Sequence, residues 1–214
     1  RSTLFPYTTL FRSSIEKTVV YTVTETAVMK GVTPDSKTHT VTVTITDDKE
    51  GHLNTSKVYS DTEGKVVFKN TYDATGSETL EGLKILENRV FTEDDTLTIN
   101  VVGDDGYTTS KEIKPLDTTS SEAAFDFTID YTLDDMKDAA GNRIYEKTVV
   151  YTVTETAVMK GTTPDSKTHT VTVTITDDKE GHLNTSRVYS DTEGKVVFKN
   201  TYDAKGPLVI EGQI

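Results

Sequence analysis

Three side chains of the 214 residues have types that form a covalent bond when brought together: the amine of Lys84, the carboxyl of Glu155 and the carboxamide of Asn200. Each stands in an alternating row where another apolar residue is due. Glu155 ends the row Val149, Tyr151, Val153; Asn200 follows Val196 and Phe198 and precedes Tyr202; Lys84 shares its parity with Leu80, Gly82 and Leu86. Alternate residues of a strand share a face, so all three polar groups are aimed at a core. Buried singly, a charge loses several kcal/mol of hydration and an unpaired amide about 1 to 3 kcal/mol. Buried together, they solve the problem for one another. Desolvation drives a lysine towards the neutral amine and a carboxylate towards the protonated acid. An amine beside an amide carbon is a nucleophile in place: attack of Lys84 Nζ on the Asn200 side-chain carbonyl, with Glu155 polarising it and carrying protons, expels ammonia and leaves an isopeptide bond.

These groups need a framework of strands. Short alternating runs separated by acidic and glycine turns predict eight: Thr79 to Glu87, Thr96 to Val102, Tyr107 to Ile113, Ala124 to Tyr131, Lys147 to Thr156, Thr168 to Asp177, His182 to Ser190 and Lys195 to Tyr202. GDDG at 103–106, DDKEG at 177–181 and DTEG at 191–194 supply turns, and Leu133 to Ala140 is expected to form one helical turn. The chain is rich in Thr and Val, poor in Ala and Leu, and has no Trp or Cys. Together these read as an all-β protein, an Ig-like β-sandwich in tandem repeats.

The tandem arrangement is explicit. Glu16 to Ala74 recurs as Glu146 to Ala204, an offset of 130 residues, with only Val32 changed to Thr162 and Lys57 to Arg187. So long a period describes whole domains in series. Residues 75–204 are expected to be one complete domain, 16–74 the C-terminal half of another, and 205–214 the start of a first strand of the next. Glu25 and Asn70 repeat Glu155 and Asn200, but no lysine of the array precedes them, and Ile214 falls where Lys84 would recur. The repeat ends abruptly at Glu16. Residues 3–13, TLFPYTTLFRS, resemble a translated sequencing adapter, so 1–15 are read as a non-native scar and set aside.

The complete period resembles the streptococcal pilin isopeptide-linkage domain, a Gram-positive surface β-sandwich related to the collagen-adhesin B-type modules. The likeness is carried by YTVTE at 151–155, TVTVTITDDKEGHL at 170–183, VFKNTY at 197–202 and, more weakly, GLKILENR at 82–89. It implies that Glu155 is the proton shuttle and Asn200 the acceptor, with a lysine of the first strand as donor. Lys84 matches best, although the family tends to show Gly-Arg where this chain has Asn88-Arg89; Lys147, Lys111 and Lys114 stay open as rivals. The resemblance implies an extracellular, cell-surface setting, with neighbouring repeats, cell wall or pilus subunits as partners.

Other classes fit less well. A net charge of −12 repels nucleic acid and anionic lipid, and no run of about 18 apolar residues is present to span a membrane. Without cysteine, disulfides, thioesters and thiolate metal sites are excluded. His39, His52, His169 and His182 show no H-x-H or carboxylate spacing, and no acidic turn fits a calcium loop, so no metal or other cofactor is expected. An adhesin module binding a host protein or glycan, without an internal link, is the alternative; outward positions of Thr, Lys and Asp weigh against it. A true enzyme needs an open cleft, whereas this trio points into a core.

Overall fold

Rows of Val alternating with Thr become strands whose Val faces turn inward, which is what β-branched side chains do on a pleated surface. The computed structural model describes residues 16–26, 29–114 and 117–213, so the adapter-like stretch lies outside the described residues. The chain divides into two units, the first ending at Tyr72 and the second beginning at Asp73.

The first unit contains β1 (Glu16–Val23), β2 (Val32–Thr33), β3 (His39–Asp47), β4 (Leu53–Tyr59) and β5 (Thr71–Tyr72). Strands β1, β3 and β4 form an antiparallel sheet in that spatial order, and β2 pairs with β5. The second unit contains β6 (Thr75–Glu87), β7 (Thr96–Gly103), β8 (Thr108–Ile113), β9 (Glu122–Thr132), β10 (Glu146–Val158), β11 (Thr162–Thr163), β12 (His169–Asp177), β13 (Leu183–Tyr189) and β14 (Val196–Tyr202). These make a five-stranded sheet, β13-β12-β10-β7-β8, and a four-stranded sheet, β11-β14-β6-β9. All pairs in the second unit are antiparallel except β14 with β6. The eight expected strands are present, and β11 is an addition too short to show a period.

Leu80, Leu86, Ile99, Val101, Phe125, Val149, Tyr151, Val171, Val173, Ile175 and Phe198 fill the space between the two sheets. Tyr131 and Tyr151 pair their hydroxyls at 2.9 Å inside it, and burial pushes the Tyr131 phenol up to about 12. Strand β13 closes one side against β6. The Thr185 hydroxyl donates to Ser77 O at 3.0 Å, the Glu81 amide donates to the Tyr189 hydroxyl at 2.9 Å, and Arg187 pairs with Glu78 and Glu81. Arg187 is one of the two positions at which the copies differ, and its fork engages both carboxylates where a lysine brings a single point charge.

The same sequence is paired differently in the two units. Val196 to Tyr202 is a continuous strand beside β6, whereas in the identical stretch Val66 to Tyr72 only Thr71 and Tyr72 pair. Tyr151 is fully buried and its counterpart Tyr21 is 54 % exposed.

The helical turn expected at Leu133 to Ala140 does not form. Asp135 and Met136 donate back to Thr132 and Leu133, but the Asp138 carboxylate then takes the amides of Ala140 and Asn142. Amides captured by a side chain are lost to a helical ladder. Gly141, at φ 82°, turns the chain back, and Lys137 bridges to Arg143.

Gly82 faces inward beneath the Phe125 ring, and a Cβ there would stand 2.0 Å from its edge. Gly82→Ala is expected to destabilise the second unit by roughly 1 to 3 kcal/mol through overpacking, read as a lower denaturant midpoint of the full chain. An unchanged midpoint would show that the ring moves aside freely.

Candidate functional site

Lys84 lies on β6 in the register of Phe198, and Asn200 on β14 in the register of Leu86. In a parallel pair, residues in register share a face, so Lys84 and Asn200 are diagonal neighbours on the inner face of the four-stranded sheet. Glu155 projects from β10 of the facing sheet, where it is paired with Ile99 of β7. All three side chains are sealed from solvent, at 0 % exposure for Lys84 and Asn200 and 2 % for the Glu155 side chain.

Lys84 Nζ donates to Glu155 Oε2 at 2.7 Å. Burial pulls the Lys84 pKa below its ordinary value, against the hydrogen bond and charge of Glu155, which act in the opposite direction. The amine is thereby shifted towards its nucleophilic form. The other carboxylate oxygen, Oε1, and the Asn200 amide nitrogen are both buried and have no hydrogen-bond partner. Such orphaned groups ordinarily cost about 1 to 3 kcal/mol each. Asn200 Oδ1, by contrast, accepts the Asp165 backbone N–H at 2.7 Å.

The first unit holds the repeated pair in another arrangement: Asn70 Nδ2 donates to Glu25 Oε1 at 2.8 Å, and Asn70 Oδ1 accepts the Asp35 amide at 2.9 Å. The repeated glutamate thus contacts the carboxamide in the first unit, where it lies beyond β1, and the lysine in the second.

The rival lysines are engaged elsewhere. Lys147 donates to Asp135 O at 2.9 Å, Lys111 pairs with Asp126, and Lys114 pairs with Glu112 near the surface.

The histidines correct the expectation that they lack carboxylate spacing. His169 is buried, its Nδ1 lies 2.8 Å from an Asp191 oxygen, and Asp165 stands four residues before it with Oδ2 at 3.8 Å from Nε2. His39 repeats this arrangement with Asp61 and Asp35, and His52 and His182 each face an aspartate four residues earlier. The D-x-x-x-H spacing was present in the sequence, but the ring serves as a buried structural contact, with its edge against Phe198 at 4.5 Å between centroids. Among the described residues, no three His, Cys, Asp or Glu side chains gather as a metal site.

None of the curated proteins compared with the chain matches it. A family match does cover most of its length. The FctA family, described as the Spy0128-like isopeptide containing domain, matches residues 4–73 and again 80–203. Two successive matches, over an all-β chain whose second unit buries a lysine, a glutamate and an asparagine in one core, agree with the tandem repeat read from the sequence, and the chain belongs to the FctA family of Spy0128-like isopeptide-containing domains.

Proposed function

We propose that the second unit is a load-bearing module of a Gram-positive surface or pilus-like protein, locked by a self-made isopeptide bond between Lys84 and Asn200 with Glu155 as the proton carrier. The observation that carries this reading is the sealed 2.7 Å contact of Lys84 with Glu155, beside an asparagine whose amide nitrogen is unpaired. Glu155 takes a proton from Lys84, and the amine attacks Asn200 Cγ, forming the new C–N bond as the carbonyl electrons move to Oδ1. Glu155 delivers its proton to Nδ2, the Cγ–Nδ2 bond breaks as the carbonyl reforms, ammonia leaves, and the remaining extra proton on Nζ passes to Glu155, leaving a neutral secondary amide. One amine and one carboxamide become one secondary amide and one ammonia. Exclusion of water protects the intermediate from hydrolysis.

Because β6 and β14 are neighbours, the bond staples the first strand to the last, and tension applied along the array passes through the side-chain link. Neighbouring repeats of the same chain, cell wall or other pilus subunits are the partners this reading implies, outside the cell and without a cofactor.

Intact mass of the purified full chain tests it. The expected value is one ammonia below that calculated from the sequence, with a branched peptide joining the Lys84 and Asn200 segments after digestion. A full mass would leave the adhesin reading, without an internal link, in its place.

A further inference from the structure

The link needs something to hold the charge that collects on Asn200 Oδ1 as Lys84 attacks, and neither Lys84 nor Glu155 touches that atom. The nearest donor comes from a segment the reaction does not otherwise use. Strand β11 pairs Thr163 with Thr201, but the next residue, Pro164, has no N–H and ends the ladder. The chain turns there, and the first N–H after the proline, that of Asp165, points at Asn200 Oδ1 from 2.7 Å.

This corner is fastened on both sides. One oxygen of the Asp165 carboxylate accepts the amide of Lys199, the residue preceding Asn200, at 3.0 Å, and the other accepts the amide of Lys167 at 2.9 Å. Burial works against that carboxylate's charge, but these two amides, together with the charges of His169 and Lys167, outweigh it and hold its pKa below the ordinary range. His169, fixed by Asp191, packs behind it. The first unit builds the same corner independently. Asp35 N–H donates to Asn70 Oδ1 at 2.9 Å, and the Asp35 carboxylate accepts Lys69 and Lys37 amides. The donor is in place there although Glu25 bonds to the carboxamide and not to an amine, so it belongs to the asparagine and not to the ion pair.

From this geometry we infer that the Asp165 backbone N–H is the oxyanion donor of the cross-linking reaction, stabilising the negative oxygen of the tetrahedral intermediate at Asn200, with the Asp165 side chain as the clamp that aims it. The inference rests on the isopeptide reading above. A donor set before reaction needs no reorganisation as charge develops, and losing one such donor typically slows a reaction on the order of 10²-fold.

The test deletes the N–H and keeps the side chain. The full chain is made by cell-free translation with the α-hydroxy analogue of aspartate at position 165, so that an ester replaces the Pro164–Asp165 amide, and ammonia loss is followed by intact mass. The expected result is a rate lower by about 10²-fold, with the wild-type chain reacting normally. A second measurement needs no variant: in the isotope-labelled wild-type chain, a through-hydrogen-bond coupling is expected between the Asp165 amide nitrogen and Cγ of residue 200. Ammonia loss at equal rates in the ester and wild-type chains, or absence of that coupling, overturns the inference alone. A wild-type chain that retains its ammonia overturns the isopeptide reading as well.

Discussion

Full-length chain carrying Glu155→Ala is expected to keep its ammonia and to unfold more readily than any single substitution on the surface. Both effects have one origin. Glu155 accepts a hydrogen bond from Lys84 at 2.7 Å inside a sealed site. Removing it takes away the proton carrier, so the amine has no partner to receive its proton before attack and none to deliver one to the leaving nitrogen. It also leaves a buried amine whose pKa is already lowered by desolvation, without the hydrogen bond and charge that partly restored it. Removing one member of a buried pair costs about 3 to 5 kcal/mol. The sign of the pH effect follows. Between the lowered folded value and the ordinary 10.5, the unfolded chain holds the proton and the folded chain does not, so stability rises with pH across that window and falls as pH is lowered through it. Intact mass and denaturant midpoints at neutral and alkaline pH check both halves. A variant that still loses ammonia would remove Glu155 from the chemistry.

The second large effect isolates the covalent link from the ion pair. In Lys84→Met with Glu155→Leu, both charges are replaced by apolar side chains of similar size, an exchange that is neutral or stabilising in most cores. What remains lost is the ring between residues 84 and 200. A closed loop of about 115 residues removes enough freedom from the unfolded chain to contribute about 5 kcal/mol. The double variant is therefore expected to melt on the order of 15 °C below wild type, in calorimetry of the full chain. Equal melting temperatures would mean that the wild-type chain carries no link or that the link adds no stability.

The strands of the second unit were legible because Thr and Val alternate with few interruptions, and that parity alone aims Glu155 and Asn200 inward. Lys84 was harder to read, since β6 has apolar residues on both faces and its inward row is broken by Gly82, whose bareness makes sense only beside the Phe125 ring. The Asp165 donor left no periodic trace. It depends on a proline ending a two-residue strand and on a backbone group, and neither enters a side-chain pattern. The carboxylate spacing of His169 was in the sequence, in Asp165 four residues earlier, but Asp191 lies 22 residues on and reaches the ring only through the fold. The expected helical turn failed at Asp138, whose side chain competes for amides within a few residues. The contrast between β14 and Val66 to Tyr72 lies beyond any local reading, because the two sequences are identical and only the neighbouring strand differs.

That contrast also bears on the order of events as the chain is made. The segment holding Asn200 becomes a continuous strand beside β6, more than a hundred residues upstream, and β6 holds the lysine. Synthesis runs from the N-terminus, so Lys84 emerges more than a hundred residues before Asn200, and any chain shorter than that lacks this asparagine. In the proposed reaction, ring closure therefore has to follow the arrival of β14 beside β6. On that proposal, a chain caught before β14 docks is still a linear thread that can pass through a narrow pore, and a closed ring would mark a molecule whose β14 has found its place.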